Sequence, residues 1–112
     1  MRAHPRWVLH AAVDVESEDN LYAGLSYDVS EGGLFVATLN TPPVGTNVDV
    51  KVILPDGSKL ELTGTVRWVR DVRQASQGLP PGCGIQWDHL PMEALRVLLH
   101  FAELREPILY ET

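Results

Sequence analysis

The chain has 112 residues and one cysteine, enough for a single hydrophobic core and too few thiols for a disulfide framework. A net charge of −6, with 21% charged residues, excludes the broad basic surface that nonspecific nucleic-acid binding requires. No apolar run reaches transmembrane length and the first residues lack a signal-peptide core, so a cytosolic location is expected.

The elements follow in chain order. Residues 1–6 are polar, contain Pro5 and read as a mobile arm carrying Arg2 and Arg6. Residues 7–16 have a period of two, with Trp7, Leu9, Ala11, Val13 and Val15 on one face, which predicts a half-buried strand. After a turn at 17–20, a second strand is predicted over 21–29, with Gly24 marking a bulge or a close backbone approach. Residues 30–33 form a polar, glycine-bearing turn, and 33–39 a third strand. The loop 40–46 contains Pro42-Pro43 and cannot be a strand interior.

Residues 47–54 alternate again, with Val48, Val50, Val52 and Leu54 on one face. Pro55-Asp56-Gly57-Ser58 is a tight-turn signal, proline presetting one dihedral and glycine accepting positive φ. It leads into a strand over 59–72, with Leu60, Leu62, Gly64, Val66 and Trp68 on one face. A loop at 73–82 precedes a sixth strand over 83–88. Residues 92–105 contain no glycine or proline and predict a helix within 91–106, closed by Pro107. Its apolar residues cover more than half its circumference, which predicts a second covering surface: another subunit, a partner, or Ile108-Leu109-Tyr110. The expectation is one domain over 1–112: an arm at 1–6, a mainly β body at 7–88 and a C-terminal helix, six antiparallel strands curling into a barrel or sandwich.

Catalytic constellations are missing from the pattern. The histidines at 4, 10, 89 and 100 are scattered, no nucleophile-elbow or phosphate-loop motif occurs, and no clustered ligands point to a metal. The expectation is a non-enzymatic protein without a cofactor. Binding chemistry is better represented. Arg2-x-x-x-Arg6 places two planar, permanently charged forks on the arm, suited to phosphates and to the acceptor edge of guanine. Asp28-x-Ser30-x-x-Gly33 adds a carboxylate for N–H donors and a hydroxyl, and Gly32 and Gly33 supply backbone amides for an anion. The same turn residues can equally satisfy their own local amides. Arg67, Arg70 and Arg73 read as a solvated strand edge, and Trp7, Trp68 and Trp87 as core or rim residues.

Taken together, these motifs resemble the PilZ domain family. The resemblance rests on Arg2-x-x-x-Arg6, on Asp28-x-Ser30-x-x-Gly33 opening into Leu34-Phe35-Val36, on Gly64-Thr65-Val66-Arg67-Trp68 and on Gly84-Ile85-Gln86-Trp87. It implies a six-stranded antiparallel PilZ-like β-barrel with one C-terminal α-helix. It also implies a receptor for the bacterial second messenger cyclic di-GMP. Arg2 and Arg6 would take guanine edges and phosphates, while Asp28, Ser30 and Gly33 would hold a guanine on the barrel. Met1 stands where many members carry a further arginine, which implies one bound ligand molecule rather than a stacked pair. The expected output is a changed arm conformation read by a downstream protein partner controlling motility, development or exopolysaccharide. The other reading is an interaction module that binds no nucleotide and works as a homodimer or through a partner, using the helix and the loop 73–82.

Overall fold

The computed structural model describes residues 6–18, 20–76 and 79–104, with the backbone alone at Tyr27, Glu103 and Leu104. The strands are β1 (Trp7–Val8), β2 (Ala12–Glu16), β3 (Leu21–Val29), β4 (Gly33–Ala37), β5 (Asn47–Ile53), β6 (Lys59–Arg70), β7 (Gly82–Trp87) and β8 (Glu103–Leu104). The helix α1 (Met92–Phe101) lies between β7 and β8. Neighbouring strands run in the order β2-β5-β6-β7-β4-β3, and β3 pairs back onto β2. Six antiparallel strands thus close into a barrel with one C-terminal helix: the periodicity predicted the six strands and left barrel or sandwich open, and the family resemblance implied the barrel.

The β5–β6 hairpin is paired from Asn47↔Thr65 to Ile53↔Lys59. Its turn holds Gly57 at φ 90°, the conformation that glycine alone adopts without strain. Asp56 accepts hydrogen bonds from the Ser58 amide at 2.9 Å and the Ser58 hydroxyl at 2.6 Å. Those bonds hold its carboxyl below the ordinary value of 3.8. Inside the barrel, Val13, Val15, Val50, Val52, Val66 and Ile85 are nearly inaccessible to solvent. Cys83 belongs to this core, and burial pushes its thiol up from 9.0 to about 11, so it stays a protonated, unreactive packing residue.

Two elements differ from the sequence expectation, and a third settles an alternative that it left open. First, the strand predicted over 7–16 is broken at 9–11 into β1 and β2. Ser26 occupies the break. Its amide donates to the Ala11 carbonyl at 2.8 Å, its hydroxyl oxygen accepts from the Ala11 amide at 2.8 Å, and its hydroxyl donates to the Leu9 carbonyl. A side chain thereby replaces ladder bonds that a continuous strand would have made. Ser26→Ala leaves a buried amide and carbonyl unsatisfied, a cost of about 2 kcal/mol. The expected result is a fall of about 8 °C in Tm by calorimetry.

Second, the helix predicted within 91–106 stops at Phe101. Ala102 is extended (φ −99°, ψ 159°), and the chain turns into β8, which pairs with β1 through Trp7↔Leu104 and Val8↔Glu103. Pairing with the exposed edge of β1 outcompetes another helical turn, a tertiary effect that local propensity does not encode. Ala94 and Leu98 are buried in the core, Leu95, Val97, Leu99 and Phe101 are half-buried, and Glu93, Arg96 and His100 are exposed. Pro107 and residues 108–110 lie outside the described residues.

Third, of the two roles the sequence left open for Gly24, a bulge or a close approach, it fills the second. A Cβ there would stand 2.5 Å from the Ala37 carbonyl oxygen. The irregularity in β3 falls later, between Ser26 and Val29.

Candidate functional site

Two β-bulges shape one cleft on the outer face of the barrel. In β3, Tyr27 and Asp28 stand opposite the single Phe35 of β4, since Ser26 pairs with Val36 and Val29 with Leu34. In β6, Arg67 is the extra residue between the pairs Val66↔Ile85 and Trp68↔Gly84. A bulge shifts the alternation and re-aims the side chains that follow it. Val66 therefore points into the core, whereas Trp68 turns outward and is 44% exposed. The sequence pattern had placed Trp68 on the core face; the extra residue at Arg67 inverts it.

Gly84 is paired with both Phe35 and Trp68, so it sits between them on one outer row. Having no Cβ, it lets the two rings meet across it: their centroids are 5.2 Å apart and their planes 20° from parallel. A Cβ on Gly84 would lie 2.2 Å from the indole nitrogen of Trp68. The Arg70 guanidinium stands 5.1 Å from the Phe35 ring centre and 5.2 Å from that of Trp68, and donates to the Pro80 carbonyl at 2.8 Å. Arg70 is therefore a half-buried clamp on the aromatic pair rather than a solvated edge residue. Arg67, by contrast, is exposed and donates through Nε to Gln86 at 2.5 Å.

At the mouth of the cleft the guanidinium of Arg6 donates to the Asp28 carboxylate at 2.5 Å. The Arg6 side chain is 61% exposed, that of Asp28 only 10%. These residues are 22 apart in the chain, and the fold joins them because Val8, two residues after Arg6, pairs with Asp28 across β1 and β3. The cleft encloses about 350 Å³ and is lined by Arg6, Asp28, Ser30 and Gly33 together with Phe35, Arg67, Trp68 and Gln86. Four of the five residues that the sequence motifs single out thus converge on one cavity. The fifth, Arg2, lies outside the described residues.

Of the two readings open for the turn at 30–33, an anion nest or locally satisfied amides, the amides of Gly32 and Gly33 follow the second. The Ser30 hydroxyl oxygen accepts hydrogen bonds from the amides of Gly32 at 3.1 Å and Gly33 at 3.3 Å, and the Ser30 amide donates to the Gly33 carbonyl at 2.8 Å. Both glycine amides are occupied, although the Ser30 hydroxyl keeps its own hydrogen to donate. Trp87 anchors the turn: its indole N–H donates to the Ser30 carbonyl at 3.1 Å and its amide to the Gly32 carbonyl at 3.0 Å. Trp87 is buried, in keeping with the core reading of that residue. Gly33 answers a packing demand, because a Cβ there would lie 2.2 Å from the Ile85 carbonyl oxygen of β7.

Sequence reasoning missed Phe35, Arg67, Trp68 and Gln86 as cleft residues. The signal available was the Gly-x-Val-x-Trp spacing in β6, but the bulge that turns its tryptophan outward becomes visible only through pairing with β7. Among the described residues no group of three or more His, Cys, Asp or Glu side chains is placed to hold a metal.

A closed six-stranded barrel with a terminal helix, and an arginine–aspartate pair over an aromatic-floored outer cleft, define a small β-barrel module with a surface binding cleft. The family model described as the PilZ domain matches residues 1–104, and the chain belongs to the PilZ domain family. No curated protein matches it in sequence. Among solved structures, the Bacillus subtilis inhibitor of motility (MotI/DgrA) is similar over 90% of this chain and 49% of its own. Its sequence identity is 19% and the TM-score 0.69. The PilZ domain of YcgR from Escherichia coli, solved with c-di-GMP, is similar over 88% of this chain and 86% of its own, at 14% identity and a TM-score of 0.68. At these identities the likeness is one of fold. The chain spans about half the length of the Bacillus protein.

Proposed function

We propose that this chain is a cyclic di-GMP receptor of the bacterial cytoplasm. It has no enzymatic step and hands the signal to a protein partner through a change in the arm that carries Arg2 and Arg6. The observation that carries the reading is the Arg6–Asp28 pair at the mouth of the cleft: a cation for phosphate or guanine acceptors, held beside a carboxylate for guanine donors. Guanidinium has five N–H donors, and the bond to Asp28 leaves others for a ligand. Asp28 accepts from the guanine N–H edge, and the Ser30 hydroxyl donates to a base or phosphate. Gly33 contributes by letting β4 approach β7, which sets the turn. Membership of the PilZ family and the likeness to a YcgR domain solved with c-di-GMP support the choice of nucleotide.

Titration calorimetry tests the site. Arg6→Ala and Asp28→Ala each remove a charge-assisted hydrogen bond of about 1.5–3 kcal/mol, so affinity for cyclic di-GMP is expected to fall roughly 10- to 100-fold. Unchanged affinity in both variants would overturn the site assignment. No binding heat for the unaltered chain would instead favour the nucleotide-independent interaction module.

A further inference from the structure

Strand β3 places apolar residues on the solvent side over residues 21–25, unlike its neighbour β2, whose valines face the core. Before the bulge in β3, Tyr22, Gly24 and Ser26 face inward, and the apolar residues Leu21, Ala23 and Leu25 face solvent. Leu21 is 64% and Leu25 58% exposed, while Ser26 is 1% exposed. The register is held by the Ser26 bonds to Leu9 and Ala11 and by the space at Gly24, which admits no Cβ. A one-residue slip would bury the leucines but would put a side chain against the Ala37 carbonyl. Cross-strand pairing extends the apolar patch from Leu25 to Ala12 on β2 and Ile53 on β5.

The patch borders a groove of about 510 Å³ on the same face. Leu21 pairs with Glu16, which pairs with Asp49, and Ala23 pairs with Asp14, Asp14 with Lys51 and Lys51 with Glu61. Four carboxylates thus face one ammonium in the groove, with Lys59 beside Ile53 at its end, and among the described residues none of these six forms an ion pair. Glu16 and Asp49 stand directly opposite each other, a like-charge placement that opposes sheet pairing. Exposed leucines and opposed carboxylates are both unfavourable in water. Both become favourable beneath a surface that is apolar and cationic.

We propose that this outer face of β3, β2 and β5 docks a basic amphipathic helix of a partner protein. The step from Leu21 to Leu25 is about 13 Å of strand, which matches about nine residues of helix, so apolar anchors at i, i+4 and i+7 lie along it. Lysines or arginines on the flank of such a helix reach the carboxylates one and two strands away, at about 5–10 Å. The charge selects this occupant. A second copy of the chain would set carboxylates against carboxylates, and an anionic membrane or nucleic acid would be repelled. The docking needs no nucleotide and stands independently of the cleft.

The test titrates the 15N-labelled full chain, without nucleotide, with a synthetic helical peptide carrying Leu at i, i+4, i+7 and i+11 and Lys along one flank. The same peptide with Glu for Lys is the control. The expected result is amide shifts confined to residues 12–16, 21–25, 49–53 and 61–63 with the lysine peptide, and none with the control. Glu16→Lys should weaken binding at least tenfold while raising Tm, because it relieves the opposition to Asp49. A purely structural role for Glu16 would not separate those two readouts. Leu21→Ser, at an exposed position, should keep the fold and lose binding to a similar extent. The proposal is overturned if no shifts appear, if they map to α1 or the cleft, or if the control peptide binds equally. Glu16→Lys binding as the unaltered chain does would also overturn it, as would a concentration-dependent dimer abolished by Leu21→Ser.

Discussion

Gly33→Ala is expected to destabilise the barrel by about 3 kcal/mol, at the upper end of what overpacking costs, lowering Tm by about 12 °C. The added methyl would lie 2.2 Å from the Ile85 carbonyl oxygen, and that obstacle is backbone, so no rotamer change relieves it. β4 must separate from β7 along the pairs Gly33↔Gln86 and Leu34↔Ile85, on which the buried Leu34 and Ile85 depend. Gly57→Ala is the control. Its Cβ meets nothing within 4 Å, and only the positive φ of 90° opposes it, a cost of about 1 kcal/mol. Chemical denaturation of the two variants separates a spatial demand from a conformational one. Equal losses would mean that Gly33, like Gly57, is kept only for its backbone freedom.

Leu98→Ala should cost about 3 kcal/mol, because a fully buried leucine loses its transfer free energy and leaves a cavity that its neighbours fill only in part. Leu98 is inaccessible to solvent and belongs to the same core as Leu9, Val13 and Ile85, so one face of α1 completes the barrel's core and the helix is not an appendage. Met92→Ala, at the exposed start of the helix, should change stability by less than about 0.5 kcal/mol. Guanidinium unfolding monitored by tryptophan fluorescence reads both. A Leu98→Ala variant as stable as the original would mean that the helix packs elsewhere.

These expectations bear on how much of the molecule its sequence discloses. The strands of the β5–β6 hairpin were legible because alternation and the Pro-Asp-Gly-Ser turn are local properties. The site motifs were legible as residue types, since arginine, aspartate and serine announce their chemistry wherever they stand. The aromatic floor was not legible. Trp68 reads as a core residue by alternation, and only the extra residue at Arg67, counted against β7, turns it outward onto Phe35. Which face of β3 is buried was not legible either: Ser26 and Gly24 claim the interior and leave Leu21 and Leu25 outside.

The helix end shows the same division. Residues 92–105 have uniform helical propensity, yet α1 stops at Phe101 because β8 finds the edge of β1. Local sequence therefore determined the six barrel strands to within their ends, the turns, the existence of the helix and the identity of the charged groups, all of which depend on contacts a few residues apart. The tertiary structure alone decided where the alternation inverts, which rings meet across Gly84, and that Arg6 reaches Asp28. Those outcomes depend on register between strands far apart in the chain, where one bulge or one missing Cβ moves a side chain from the core to the surface.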